Sequence, residues 1–218
     1  MQTDRILNFL TELKKNNHKT WFEENKEEFR KSYQDFSEFT EVLIAGIENF
    51  DPTLKGVRAK DCIFRIYKDT RFSKDKTPYK TNFGAFMKGG GKKTSSAGYY
   101  LHLEPEKSFI AAGVYQPPAP ELWKIRTAIA EKPEILQKIL LEKKLKTEFG
   151  ELEGERVKTA PKGFSKEHPA IELLRFKSYI LMKEISSDEL KVKNASVNLL
   201  KSYEIAKDFN FYFNRILV

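Results

Sequence analysis

Only Glu106 and Lys107 separate the aromatic and apolar stretch GYYLHLEP (98–105) from SFIAAGVYQ (108–116). So short a connection permits one arrangement of two strands, a tight antiparallel hairpin, because a parallel pair needs a crossover of roughly a dozen residues or more. Two further segments of similar composition precede it, CIFRIYKD (62–69) and FGAFMKG (83–89), each with some alternation of apolar and polar positions. The intervening KGGGKKTSSAG, basic and rich in Gly and Ser, reads as a mobile hairpin loop. A fifth strand is expected in ELLRFKSYILMKEI, where a helix end runs into it.

Helical periodicity lies on both sides of these strands. Ile6, Phe9, Leu10 and Leu13 share one face, and Asn16-Asn17 ends that helix. A second helix is expected to open near Thr20, with Glu23 completing a capping box, and to carry a stripe of Phe22, Phe29, Phe36, Phe39, Leu43 and Ile47 up to the turn at Pro52. After QPPAP, ELWKIRTAIAE reads as a helix, and PEILQKILLEKKL as another that starts at Pro133. The chain is loop-like from Phe149 to His168. From Ser196, the residues Leu199, Tyr203, Ala206, Phe209 and Phe213 predict one long closing helix.

The order predicts an α+β fold, a mainly antiparallel sheet flanked by N-terminal and C-terminal helices in a single domain, residues 1–218. Its parts are N-terminal helices at about 3–49, sheet at about 62–116, helices at about 120–145, and a last strand with the closing helix at about 174–215. With 40% hydrophobic and 13% aromatic residues the chain can build such a core without metal or disulfide. An antiparallel sheet of this kind can keep one face on the core and offer the other to a ligand.

Cys62 is the lone cysteine, which excludes an internal disulfide and suits a reducing cytoplasm; it reads as a buried apolar residue rather than a nucleophile. The opening MQTDRILNFLTELKK has scattered charge and no apolar run, so neither a signal peptide nor a membrane anchor is expected, and a soluble cytoplasmic protein is.

The charge is concentrated. Residues 65–93 hold nine Lys or Arg against Asp69 and Asp75, a net +7 out of the chain's +8. Such concentration points to an anionic partner rather than to general solubility. Within it, Arg65, Arg71, Ser73, Lys76, Tyr79 and Lys80 are candidate binding residues, because guanidinium forks and hydroxyls suit phosphate or carboxylate oxygens and Pro78 stiffens the loop. The alternative is a solvated loop held by pairing of Asp69 and Asp75 with Arg65 or Arg71. A second cluster, APKGFSKEHP followed by Arg175, offers Lys162, His168 and Arg175; a turn with a capping residue is the plainer reading. Both clusters would form one positive pocket if the two loops met.

Strand alternation also places Tyr100, His102 and Glu104 on one face of GYYLHLEP, and Arg65, Tyr67 and Asp69 on one face of RIYKD. Were those faces to coincide, His102 would be the titrating group of an acid–base site; a hydrogen-bonded polar sheet face is the alternative. No cofactor is evident: HExxH, paired Cys ligands, the P-loop, the Rossmann fingerprint and G-x-S-x-G are all absent from the sequence, and no metal site is expected. The favoured expectation is a protein that binds a phosphorylated or other anionic small molecule through the 65–80 loop, either as a binding protein or as an enzyme acting on it, and the sequence leaves open which. A nucleic-acid-binding module is the first alternative, with Tyr67, Phe83, Phe86, Tyr99 and Tyr100 as stacking residues, and an interaction protein docking an acidic partner is the second. The sequence leaves the oligomeric state open.

Four stretches, FLTELKKNNHKTWFEENK, RIYKDTRFSKDKTPYKTNFGA, GYYLHLEPEKSFIAAGVYQPPAPELWKIRTAI and APKGFSKEHPAIELLRFKSY, span most of the chain. In this order, and with the run RFS-x-DK-x-PYK, the chain resembles a bacterial family known as domain of unknown function 2461. The resemblance implies one soluble α+β domain of bacterial type and carries no assigned activity. Arg is usual in that family where this chain has Lys68, and Lys lacks the bidentate fork.

Overall fold

The computed structural model describes residues 2–71, 74–90 and 94–217. Helix α1, Thr3–Lys15, buries Ile6, Phe9, Leu10 and Leu13, as their spacing requires. Helix α2, Lys19–Glu24, is capped by His18, whose Nδ1 accepts the Trp21 N–H at 3.4 Å, so Thr20 falls inside the first turn and the expected capping box does not form. Asn25 interrupts the stripe, and α3, Lys26–Glu48, then buries Phe36, Phe39, Leu43 and Ile47. A 3-10 turn at Pro52–Leu54 and the short α4, Ala59–Cys62, lead to the sheet.

Four strands, β1 Phe83–Met87, β2 Gly98–Leu103, β3 Phe109–Val114 and β4 Tyr179–Glu184, lie antiparallel in the order β1-β2-β3-β4. The β2–β3 hairpin is as expected: His102 pairs with Phe109, and Glu106 takes a φ of 69° to turn the chain. The segment 62–69 is not a regular strand. Ile63 bridges Ala85 and Tyr67 bridges Tyr79, so four residues on one side span six on the other and no continuous ladder forms along β1.

After the sheet come α5 Ala119–Glu131, α6 Pro133–Leu140 and α7 Lys143–Phe149. The Glu142 carboxylate accepts the Leu145 N–H and so starts α7 where a single helix from Pro133 was expected. Helix α8, Ile171–Leu174, precedes β4, and α9, Ser187–Lys191, follows it behind a capping box of Ser186 and Glu189. The closing helix divides at Ala206 into α10, Ala195–Ile205, and α11, Lys207–Leu217. The break lets α10 lie on α3 while α11 packs on β3 and α5.

The two faces of the sheet differ. Phe83, Ala85, Met87, Tyr99, Leu101, Leu103, Ile110, Ala112 and Leu181 alternate onto one face and are buried in the core. The other face carries Phe86, Tyr100, His102, Phe109, Ile180 and Met182, each partly exposed.

Candidate functional site

On the second face the alternation of β2 brings Tyr100, His102 and Glu104 into a line. His102 Nε2 is 3.2 Å from Glu104 Oε2, and its Nδ1 is 3.1 Å from the Tyr100 hydroxyl and 3.4 Å from Asn82 Nδ2. Beyond Glu104, the Thr81 hydroxyl donates to Oε1 at 2.8 Å. Phe109, the partner of His102 across the hairpin, stacks on the imidazole with centroids 4.5 Å apart and planes 15° apart. Room for this arrangement comes from Gly84, opposite His102 on β1: a Cβ there would fall 2.5 Å from Tyr100 Oη.

The surroundings set the charges. Burial lowers the His102 pKa, and the Glu104 carboxylate only partly offsets it. Burial also works against ionisation of Glu104, but the hydrogen bonds from Thr81 and His102 outweigh it and hold the carboxyl below its ordinary range. Burial, aided by Glu104 and Tyr115, pushes Tyr100 up to about 12. A neutral His102 beside an ionised Glu104 donates from Nε2 and accepts at Nδ1, from Tyr100 and Asn82. A proton received at Nδ1 would make an imidazolium that Glu104 stabilises from the other nitrogen, the geometry of an oriented general base.

At the rim beside β1 stands Phe64, 42% exposed, with its ring edge-on to Tyr100 at 6.2 Å. Lys80 Nζ lies 5.5 Å from the Phe64 centroid. Burial and the nearby Arg65 charge both lower the Lys80 pKa. Among the described residues neither Arg65 nor Lys80 forms a close ion pair, although the Arg65 charge contributes at longer range to lowering the Asp69 pKa.

The tip of the basic loop is arranged otherwise. Arg71 grips Asp69 through Nε at 2.9 Å and Nη2 at 2.7 Å, Lys68 reaches Asp75 at 2.7 Å, and Lys76 donates to the Thr70 carbonyl at 2.9 Å. Asp75 also accepts the Thr77 N–H and hydroxyl, and its pKa is lowered, chiefly by Lys68 and then by Thr77. The acids therefore do pair within the loop, with Lys68 and Arg71. Tyr79 is buried, stacked on Phe22 at 4.0 Å and held by Asn17 at both its N–H and its carbonyl. Ser73, Lys92 and Lys93 lie outside the described residues.

The second basic cluster sits at the other edge of the sheet, where 153–157 runs beside β4 and Phe176. Three strand spacings, about 14 Å, separate β1 from β4, so the two loops do not form one pocket. His168 accepts the Ala170 N–H at Nδ1 and meets the Ala130 carbonyl at Nε2; Arg175 bonds Glu172 and the Lys158 carbonyl; Lys162 is exposed. Tyr67 turns towards Phe22 and Tyr79, and Asp69 towards Arg71, so neither joins the His102 face. Of the expected stacking residues, Phe83 and Tyr99 are in the core, and Phe86 and Tyr100 are on the open face.

A surface cleft of about 780 Å³ between α6, α7, α10 and α11 interleaves Lys138, Lys144, Lys201 and Lys207 with Glu142, Glu204 and Asp208, which leaves little net charge. Among the described residues no group of three His, Cys, Asp or Glu could hold a metal, and no helix is long and apolar enough to cross a membrane. Phe64, Thr81, Asn82, Gly84 and Phe109 complete the His102 site without any motif of their own; only the strand register, with Gly84 and Phe109 flanking His102, signals them.

No curated protein and no solved structure matches the chain. One family does match, over residues 5–212, and the chain belongs to it: conserved hypothetical protein (DUF2461).

Proposed function

We propose that the protein binds an anionic small molecule at the sheet rim and that His102 exchanges a proton with it. The observation carrying this reading is the contrast in pairing. The cations at the loop tip are engaged by Asp69, Asp75 and the Thr70 carbonyl, whereas Lys80 stands over Phe64, at the edge of Tyr100, with no ion pair among the described residues, and Arg65 lies near enough to lower its pKa while acting on Asp69 only at longer range. Two neighbouring cations, one of them half-buried, are relieved by an incoming anion, and a low-polarity rim strengthens the attraction. The anion-binding part of the 65–80 segment is thus its two ends, with the tip as the ion-paired turn that spaces them. A reducing, cytoplasmic setting fits the single buried cysteine.

The test is binding of inorganic phosphate and ribose 5-phosphate by calorimetry. Lys80→Ala with Arg65→Ala should abolish binding while the melting temperature stays within a few degrees of the parent. Lys76→Ala with Arg71→Ala should leave it largely intact. Retained affinity in the first pair would overturn the assignment.

A further inference from the structure

The rim also has a surface for flat rings. Tyr100 reaches diagonally across to β1 and lies over Gly84, and Phe86 reaches across to β2 and lies over Gly98, where a Cβ would fall 3.1 Å from its Cε2. Rings that reach over a glycine on the neighbouring strand lean along the sheet rather than standing up from it, although Lys88 Nζ lies over the Phe86 ring at 5.3 Å. Phe64, with 42% of its surface exposed, stands at the edge of this pair, and Tyr115, 67% exposed, follows β3 on the same face. The floor between them, Ala111, Ile180 and Met182, is apolar.

Available positive charge on this surface is found at one end, and the carboxylates of Glu104 and Glu184 share the face. Arg65 and Lys80 stand beside Phe64, whereas Lys88, the cation next to Phe86, is buried and donates to the Thr94 carbonyl. Binding a continuous single strand takes a run of available cations beside the stacking rings. One cationic end followed by aromatic and apolar surface fits a ligand with one anionic group and one ring.

Building on the anion site proposed above, we infer that the ligand is a flat aromatic ring bearing a single anionic group, either a nucleoside monophosphate or an aromatic carboxylate. The ring lies against Phe64 and Tyr100, and the anion meets Arg65 and Lys80. A stacked ring contributes enough to tighten binding about tenfold over the same anion without it.

Calorimetry at two salt concentrations with adenosine 5′-monophosphate, benzoate, ribose 5-phosphate, acetate and a ten-residue oligodeoxythymidylate tests this. Adenosine 5′-monophosphate should bind about tenfold more tightly than ribose 5-phosphate, or benzoate about tenfold more tightly than acetate; whichever does so identifies the source of the ring. Phe64→Leu, at an exposed position, should erase that ratio. Equal affinity for ringed and ringless anions overturns the inference and leaves the anion site standing. Binding of none of the five overturns both. Tighter binding of the oligonucleotide than of the mononucleotide, with steep salt dependence, overturns the single-anion ligand in favour of a nucleic acid.

Discussion

His102 and Glu104 project from the same face of β2, two residues apart, and meet with Nε2 and Oε2 at 3.2 Å. The carboxylate favours the charged imidazole, while burial disfavours it more strongly. Glu104→Gln removes the charge and keeps the shape. The His102 pKa should then fall further below its ordinary value, and a long-range nitrogen–proton NMR titration reads it directly. A rise, or no change, would show that Glu104 does not govern the imidazole.

Gly84→Ala should move the same titration the other way. The new methyl meets Tyr100 Oη at 2.5 Å and its ring atoms at 3.2 Å, so the ring must swing away from His102. Losing a donor to Nδ1 removes a hydrogen bond made to the neutral imidazole, and the His102 pKa should rise. The ring moves on a partly open face, so the stability cost should be about 1 kcal/mol, the net value of one hydrogen bond. Chemical denaturation measures it.

How much of this was legible beforehand depends on whether a pattern was local. The hairpin around Glu106-Lys107 and the Tyr100–His102–Glu104 face follow from two-residue periodicity, and both are present. The strand expected at 62–69 failed because residue preference says nothing about whether a partner keeps step, and the bridges at Ile63 and Tyr67 do not. Helix α9 was open to a closer reading: Ser186 with Glu189 is a capping box in plain sequence. His18 was not, since histidine is an uncommon cap. The union of two basic loops was a tertiary contact of which the sequence carries no signal, and the sheet order keeps them apart. Phe64 and Lys80 likewise join His102 only through the way the segment 62–68 folds back beside β1.

The loop tip is held by exposed ion pairs, so its integrity and the global stability should separate. Asp69→Asn with Asp75→Asn removes the partners of Arg71 and Lys68 and weakens the Thr77 bonds. Exposed pairs add little to folding. The melting temperature should therefore hardly change, while limited proteolysis with trypsin should cleave the loop, at Lys74 or Lys76, several times faster. Unaltered cleavage would mean that the turn owes its shape to Pro78, the Lys76 bond to the Thr70 carbonyl and the bridge of Tyr67 with Tyr79 rather than to the acids.

In the core, Tyr99 donates to Asp51 Oδ2 at 3.0 Å, and Thr53 supplies both bonds to Oδ1. Both Tyr99 and Asp51 are buried. Tyr99→Phe leaves Oδ2 without this donor, which should cost about 1–3 kcal/mol. A lower urea midpoint with an unchanged slope, and unaltered ligand binding, is the expected outcome.

Stability should also fall with acid in two stages. The folded-state pKa of His102 lies below its ordinary 6.5, so the unfolded chain takes up that proton first as the pH drops. Its contribution is complete above about 6.5 and is lost as the pH falls through the lowered folded value. Glu104 and Glu148 are likewise depressed below 4.5, against burial, by Thr81 with His102 and by Lys183 with Ser202 respectively. Their contributions are complete above about 4.5 and disappear below it. Urea midpoints measured from pH 8 to 3 should therefore show a shallow first decline beginning near 6.5 and a steeper one below 4.5. His102→Gln should remove the first decline and leave the second. If the first decline survives in that variant, a group other than His102 controls it, and the neutral imidazole required for proton exchange at the rim loses its thermodynamic support.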